Sequence, residues 1–452
     1  MLSNRVLRAG ALALALALLP GIAQAETLRE ALEHAYANNP NIMSALISVK
    51  MSAEDIALRK AGKLPQISAT ASLGGNWAAT QGTFVTGNSY RLSLSYQQTL
   101  FDNFQTESQI EQARAFSELS KYALRNAEQN VLLSVATAYM NVVRDTQLVQ
   151  MRQENVAFFQ AQLDSSDSRL RLGEGTQIEV SQSQTRLAAA VAAHRAAIAG
   201  LQTSQASYQR WVGHKPQNLR SEYNFNGALP GSIDAAVASA ESNHPAILTA
   251  RAAIRAAQAG SDAARAAFGP TLNLIGSLCG VGCFNDSSQG GMTGSFGLSL
   301  TIPIYSGGAM GASVRKANLE QIQSEVDALA TRDQVHESVI SAWASLQNAS
   351  AQIESAQSAV ASGQLVVEGT IQERDVGQRT TLDVLNAQAE LTAAREQLIS
   401  AASSRVIAAF ALLAGSGKLS AGDLNLRVQV HSADGYIATV EDVWQELRAI
   451  DE

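Results

Sequence analysis

The stretch LREALEHAYANNPNIMSALISVKMSAEDIALRKAGKLPQI, residues 28–67, decides the fold because it occurs twice. Residues 233–272, IDAAVASAESNHPAILTARAAIRAAQAGSDAARAAFGPTL, align with it at an offset of 205. Asn38-Asn39-Pro40 faces Asn243-His244-Pro245, and Pro65 faces Pro270. Further along the offset is 204, so that Leu94-Ser95 matches Leu298-Ser299 and Ala138-Tyr139 matches Ala342-Trp343. Gly173, Thr176, Val180, Gln184 and Leu187 then match Gly377, Thr380, Val384, Gln388 and Leu391. Two prolines can coincide by accident. A match held through helix-like and strand-like segments is a duplication. The repeats are 26–226 and 227–425, followed by a tail, 426–452, rich in acids: Asp434, Glu441, Asp442, Glu446, Asp451 and Glu452.

Each repeat reads helix, strand, strand, very long helix, tight turn, helix. The opening helices run over 28–60 and 233–267, with a proline one third of the way in that breaks or kinks them and a second proline that ends them. Strands are expected over about 66–76, 89–100, 271–279 and 293–304. In the first, Ile67, Ala69, Ala71 and Leu73 share one face and Gln66, Ser68, Thr70 and Ser72 the other. Phe296, Leu298, Leu300 and Ile302 likewise oppose Gly297, Ser299 and Thr301. A membrane β-barrel needs this alternation, and a half-buried soluble sheet gives it too. Four strands cannot close a membrane barrel, so the barrel reading requires several chains to share one.

The long helices are expected over 104–170 and 308–375. Residues 104–170 hold neither proline nor glycine, and neither do 312–362. Val335, Val339, Ala342, Leu346, Ala349, Ile353, Ala356 and Val360 step by four and three, as do Val131, Val135, Ala138 and Val142. This is a coiled-coil period, and its alanines allow helices to approach closely. A helix over 104–170 would be about 100 Å long at 1.5 Å per residue, a length that suits a tube crossing the periplasm better than a compact domain.

Residues 1–25 read as a secretory signal peptide: Arg5 and Arg8, the apolar core AGALALALALL, Pro20, then Ala23-Gln24-Ala25 for cleavage. The alternative is a membrane anchor, but the apolar core is short for one. No run of 18 consecutive apolar residues follows. The 452 residues are 46% hydrophobic but only 5% aromatic and 16% charged, with two cysteines and a net charge of −7. That composition excludes intrinsic disorder, a disulfide scaffold and a multi-cysteine metal module. The acidic balance argues against nucleic acid as a partner.

The turn-then-helix segments RLGEGTQIEVSQSQTRL at 171–187 and RDVGQRTTLDVLNAQAEL at 374–391, with the duplicated NNP/NHP helix, resemble the outer-membrane efflux and type I secretion channel-tunnel family (TolC-like). The resemblance covers the mature chain. It implies a mainly α fold with membrane β, in which a homotrimer forms a 12-stranded outer-membrane β-barrel and a long periplasmic α-helical barrel. It implies a channel recruited by a periplasmic adaptor protein and an inner-membrane transporter of ABC type. KLPQISATASL and the absence of a cysteine after the cleavage site look most like the type I secretion branch. The family closes its periplasmic entrance where the two turns meet. On that alignment Asp383 falls on an acidic-ring position, Arg379 on the arginine of the closing network and Glu179 on the acid of the first repeat. Asn386 and Arg374 depart from the aspartate and tyrosine of some members. The residues themselves leave another role open, since Thr380–Asp383 and Thr176–Glu179 have capping-box spacing. Leu172, Gly173, Gly175 and Thr176, with Val376, Gly377 and Thr380, are the candidate adaptor-docking turns. Their glycines alternatively serve only the reversal.

Other signals carry less. Ser306-Gly307-Gly308 lacks the first glycine of a dinucleotide loop, so no cofactor is expected. The six histidines show no ligand pair, so no metal is expected. Cys279 and Cys283 are expected between the third and fourth strands as a small loop-closing disulfide, with free thiols or a metal site as alternatives. Trp77 and Phe84 suit a membrane-interface girdle or loop packing. No reactive constellation for an enzyme is present. A periplasmic structural coiled-coil protein is the remaining alternative, and it leaves the repeated strands unexplained.

Overall fold

The computed structural model describes residues 25–440 apart from 81, 221, 222, 224–228, 284 and 285. The cleaved segment expected over 1–25 therefore lies, but for Ala25, outside the described residues, as do Glu441, Asp442, Glu446, Asp451 and Glu452 of the tail. In chain order the elements are α1 (Leu28–Asn38), α2 (Pro40–Lys60), β1 (Gln66–Thr80), β2 (Thr83–Phe101), α3 (Gln105–Arg171) and α4 (Gln177–Val212). The second set is α5 (Ile233–Asn243), α6 (Pro245–Ala266), β3 (Thr271–Cys283), β4 (Asp286–Thr301), α7 (Ala309–Asp375) and α8 (Thr381–Gly415), followed by α9 (Asp434–Val440). A single 3₁₀ turn, Ala61–Lys63, precedes β1.

The prolines interrupt the opening helices completely. Asn39 and His244 are extended, with φ/ψ of −74°/125° and −66°/125°, because a residue before proline is pushed out of the helical region. Pro40 and Pro245 then begin α2 and α6, where the missing N–H costs nothing. The Asn39 side chain accepts from the Asn41 amide at 2.9 Å and donates to the Trp211 carbonyl at 2.9 Å.

The chain forms two compact units, each drawing on both repeats. One contains the described residues up to Met43, Ala127–His244 and Val335–Val430. Its core is small-residue coiled-coil packing. Val131, Val135, Ala138 and Val142 of α3 are buried, as are Val335, Val339, Ala342, Ala349 and Ala356 of α7. Helix α8 supplies Val384, Leu385, Leu391, Phe410, Leu412 and Leu413. It is long and apolar enough by composition to cross a membrane, with a mean hydropathy of 1.7, but 56% of that window is buried in the protein. Its hydrophobicity is that of a core helix. Tyr139 and Tyr208 fasten the segment ahead of α1 by donating to the Glu26 carbonyl at 2.8 Å and the Glu26 carboxylate at 2.7 Å. Burial, chiefly, pushes both phenols above their usual range.

The other unit contains Ser44–Asn126, Pro245–Gln334 and the described residues from His431. It holds one antiparallel sheet in the order β1-β2-β3-β4, with a hairpin from each repeat side by side. Ile67 pairs with Tyr96, Ala69 with Leu94, Leu94 with Leu278, and Leu278 with Gly294, so one face is apolar through the middle of the sheet. Ser68 lies opposite Ser95 and Ser277 opposite Ser295, each hydroxyl pair 2.7 Å apart on the other face. Leu73 and Phe296 are each 78% exposed: none of the described residues covers the apolar face there. Trp77 and Phe84 stack on it, centroids 5.8 Å apart. The tail also docks here. Asp434 pairs with Lys121 at 2.5 Å and Tyr436 donates to Glu54 at 2.7 Å, so α9 rests on α2 and α3.

Two expectations need correction. The strands are longer than their alternation indicates, since Gly74 pairs with Ser89 and Asn76 with Gly87. A backbone ladder continues through glycines that show no side-chain period. β4 stops at Thr301, short of Pro303, which has no N–H for a ladder. The disulfide is also absent. Cys279 is a free thiol, and β3 runs through both cysteine positions. Four residues along a strand separate their Cα atoms by about 13 Å, well beyond the roughly 7 Å limit for a bridge.

The end of α8 braces the α5–α6 break. Gly417 has φ +70°, and a Cβ there would lie 2.7 Å from the His244 nitrogen and 2.8 Å from the Asn243 carbonyl carbon. Gly417→Ala is expected to cost about 2–4 kcal/mol through left-handed strain and overpacking, read as a lower melting temperature of the detergent-solubilised protein. An unchanged melting temperature would show that the junction is not braced.

Candidate channel entrance

The two turns, one in each repeat, have the same backbone. In the first, Glu174 N–H donates to the Arg169 carbonyl at 2.9 Å and Gly173 N–H to the Leu170 carbonyl at 3.0 Å. In the second, Gln378 N–H donates to the Glu373 carbonyl at 2.8 Å and Gly377 N–H to the Arg374 carbonyl at 2.9 Å. Both are Schellman closures. Gly173 and Gly377 each have φ +80°, a conformation that glycine adopts without a Cβ penalty. Thr176 and Thr380 then cap α4 and α8, their hydroxyls accepting from the amides of Glu179 at 3.3 Å and Asp383 at 3.2 Å.

The acids differ. Asp383 completes a capping box, accepting from the Thr380 amide at 2.9 Å and the Thr380 hydroxyl at 2.7 Å. These bonds, with a smaller contribution from the Arg379 charge, hold its carboxyl below the usual aspartate range. Glu179 closes no such box. Its carboxylate instead accepts from the Thr381 hydroxyl at 3.5 Å, which joins the starts of α4 and α8. Capping thus occupies Asp383 but leaves Glu179 free to reach the other repeat.

The basic residues also divide. Arg379 donates to Glu373 at 3.0 Å across its own turn, with both side chains about half exposed. Arg374 is buried, reaching Gln162 of α3 at 2.5 Å and Asp375 at 2.7 Å. It is a strut between α3 and α7 and makes no bond to Arg379 or Asp383. Asn386 accepts from Arg186 at 2.8 Å, a second link between α4 and α8. The sequence reading missed Glu373 and Arg186, which no local motif marks. It also missed Ile178 and Leu382, which the offset of 204 aligns. Leu172 and its match Val376 are 75% and 71% exposed, and Ile178 and Leu382 are 69% and 39% exposed. Each turn therefore carries two solvent-facing apolar side chains. Among the described residues no group of His, Cys, Asp and Glu is placed to hold a metal.

The model of the outer membrane efflux protein family matches residues 31–214 and 236–418. The chain belongs to that family. Each matched segment covers most of one repeat. The outer membrane efflux protein BepC of Brucella suis biovar 1 (strain 1330) is 34% identical over 430 residues, covering 95% of this chain and 93% of BepC. The alkaline protease secretion protein AprF of Pseudomonas aeruginosa is 26% identical, covering 86% of this chain and 84% of AprF. Among solved structures, the Campylobacter jejuni CmeC outer membrane channel superposes with a TM-score of 0.78 at 17% identity, covering 92% of this chain and 89% of CmeC. CusC superposes with a TM-score of 0.75 at 22% identity. The fold is thus that of TolC-like channels. This member of the family is an outer-membrane channel protein and not an enzyme.

The Asp383 box fixes a pH dependence. Its native carboxyl titrates below its unfolded value, so its contribution to folding is complete above the unfolded pKa near 4 and is lost as pH falls through the lower native value. Thr380→Ala removes the hydroxyl of the box and is expected to destabilise α8 by about 1 kcal/mol at neutral pH, with the deficit shrinking as acid protonates Asp383. Acid and neutral melting of parent and variant checks this. A deficit that is the same at both pH values would remove Asp383 from the cap.

Proposed function

We propose that three copies of the chain close one twelve-stranded outer-membrane barrel and one helical tunnel that exports substrates. A periplasmic adaptor would dock on the turns at Leu172, Gly173, Gly175 and Thr176 and at Val376, Gly377 and Thr380. An inner-membrane transporter of ABC type would supply the substrate and the energy. The observation that carries this reading is the sheet. It is apolar on one face and hydroxyl-lined on the other, and among the described residues each of its edge strands, β1 and β4, has one partner strand. Lipid satisfies no backbone group, so such edges must be paired. With β4 of one copy against β1 of the next, three four-stranded sheets close without an edge.

The same topology predicts a helical seam. Helix α2 leads into the edge strand β1, and α7 leaves the edge strand β4. Ile47, Met51 and Leu58 of α2 are exposed, as are Leu319, Ile322, Val326 and Leu329 of α7, all between 53% and 68%. Their spacings by three, four and seven are those of a coiled-coil seam. They suit a contact of α7 with α2 of the adjacent copy, where each buried side chain contributes roughly 1.5–3 kcal/mol. Ile322→Asp/Leu329→Asp is expected to elute as a smaller species than the parent in mild detergent. Unchanged elution would exclude this seam.

At the entrance, Asp383 and Glu179 are proposed to form acidic rings that attract cations, and the Arg379–Glu373 pair to help hold the closed state. Opening is then a two-state shift driven by partner binding. In planar bilayers Asp383→Asn is expected to weaken block by divalent cations, and Arg379→Ser to raise conductance. Unchanged block, or no gain in conductance, would exclude the respective residue from the gate. The names of BepC and AprF support efflux and protein secretion respectively as cargo classes. Drug sensitivity and secreted-protein yield of a deletion strain separate the two.

A further inference from the structure

The four strands together contain two residues charged at neutral pH, Arg91 in β2 and Asp286 at the first position of β4. Arg91 stands on the polar face. It pairs with Ser72 of β1 and Val281 of β3, two positions from Ser93, which pairs with Thr70 and Cys279. It is exposed, and among the described residues its side chain makes no hydrogen bond or ion pair. Around it the face is neutral: Ser68, Thr70, Ser93, Ser95 and Thr293. The adjoining outward position, Tyr90, packs over Gly282, where a Cβ would lie 2.2 Å from the ring. Arg91 is ten residues from the helix-proximal end of β2, about 33 Å along the strand. With strands tilted by about 40° this is some 25 Å along the barrel axis, the height of the apolar band of a membrane barrel.

We infer that Arg91 sets the charge preference of the barrel, three copies forming a cationic ring near its outer mouth that favours anionic solutes. This rests on the trimeric channel reading above. A twelve-stranded barrel has a backbone radius of roughly 12 Å. Guanidinium groups reaching inward from that wall leave little of the lumen farther from a charge than the Debye length of about 8 Å at physiological salt. No acid shares the strand positions beside Arg91, and Asp286 lies two positions nearer the hairpin end, opposite Cys283. The barrel and the acidic entrance would thus carry opposite preferences, so that neither sign of solute meets attraction at every stage.

Cys279 is a native reporter on the same face, half-buried and a free thiol. In a Cys283→Ser background, the trimer is treated with an anionic sulfonatoethyl or a cationic trimethylammonioethyl methanethiosulfonate, and Cys279 modification is followed by intact mass. Arg91→Ser is expected to lower the anionic-to-cationic rate ratio about three- to tenfold at low salt, with the difference shrinking at 1 M salt. In bilayers under a KCl gradient, the same variant is expected to move the reversal potential toward cation selectivity. An unchanged rate ratio or an unmoved reversal potential, in a variant that still conducts, would overturn the assignment. A parent protein that conducts no current at all would instead refute the channel reading on which it rests.

Discussion

The unpaired edges of the sheet are the constraint on which the rest depends. A strand in lipid has no water to satisfy its N–H and C=O groups, and each orphan costs several kcal/mol. Among the described residues β1 and β4 each have one partner strand, so the sheet is only part of a solution. The exposed apolar face repeats the message, since Leu73, Trp77, Phe296 and Leu298 are all at least 64% exposed. Lipid rather than protein must cover them. The small residues of α3 and α7 follow from the same logic. Close helix packing allows a wall to be built from a chain with few aromatic and few charged residues.

The duplication gives a symmetric scaffold that carries asymmetric chemistry. Both turns use the same Schellman backbone and the same threonine caps. Their side chains differ at several aligned positions, among them the one where Gly175 of the first repeat matches Arg379 of the second. A Cβ at Gly175 would sit 3.1 Å from the Leu170 nitrogen, so the first turn is held tight. The second carries a charge that bonds to Glu373. The acids separate in the same way, with Asp383 bound into its own cap and Glu179 reaching Thr381. A duplicated gene can therefore keep the hinge geometry in both copies while the charged contacts of the two copies diverge.

Most of the fold was legible because its signals are periodic or local. The four-and-three steps of Val335 to Val360, the alternation of Ile67 to Leu73 and the repeated prolines each follow from one backbone geometry. The errors occurred where side chains carry no period. Gly74, Gly75 and Gly87 concealed the continuation of β1 and β2, and the same silence placed Cys279 and Cys283 in a loop. At the entrance, spacing was enough to find the Thr380–Asp383 cap. It could not find Glu373 beside Arg379, Gln162 beside Arg374 or Arg186 beside Asn386, since the last two pairs join helices distant in sequence. Arg374 illustrates the limit: its motif position suggested the gate, and its surroundings make it a buried strut.

The central claim is that one chain supplies one third of a barrel. Native mass spectrometry of the outer-membrane protein released from mild detergent tests it most directly. The account predicts a dominant species of three chains, with intermediate species only on activation. A dominant monomer, or any closed assembly other than three, would contradict it.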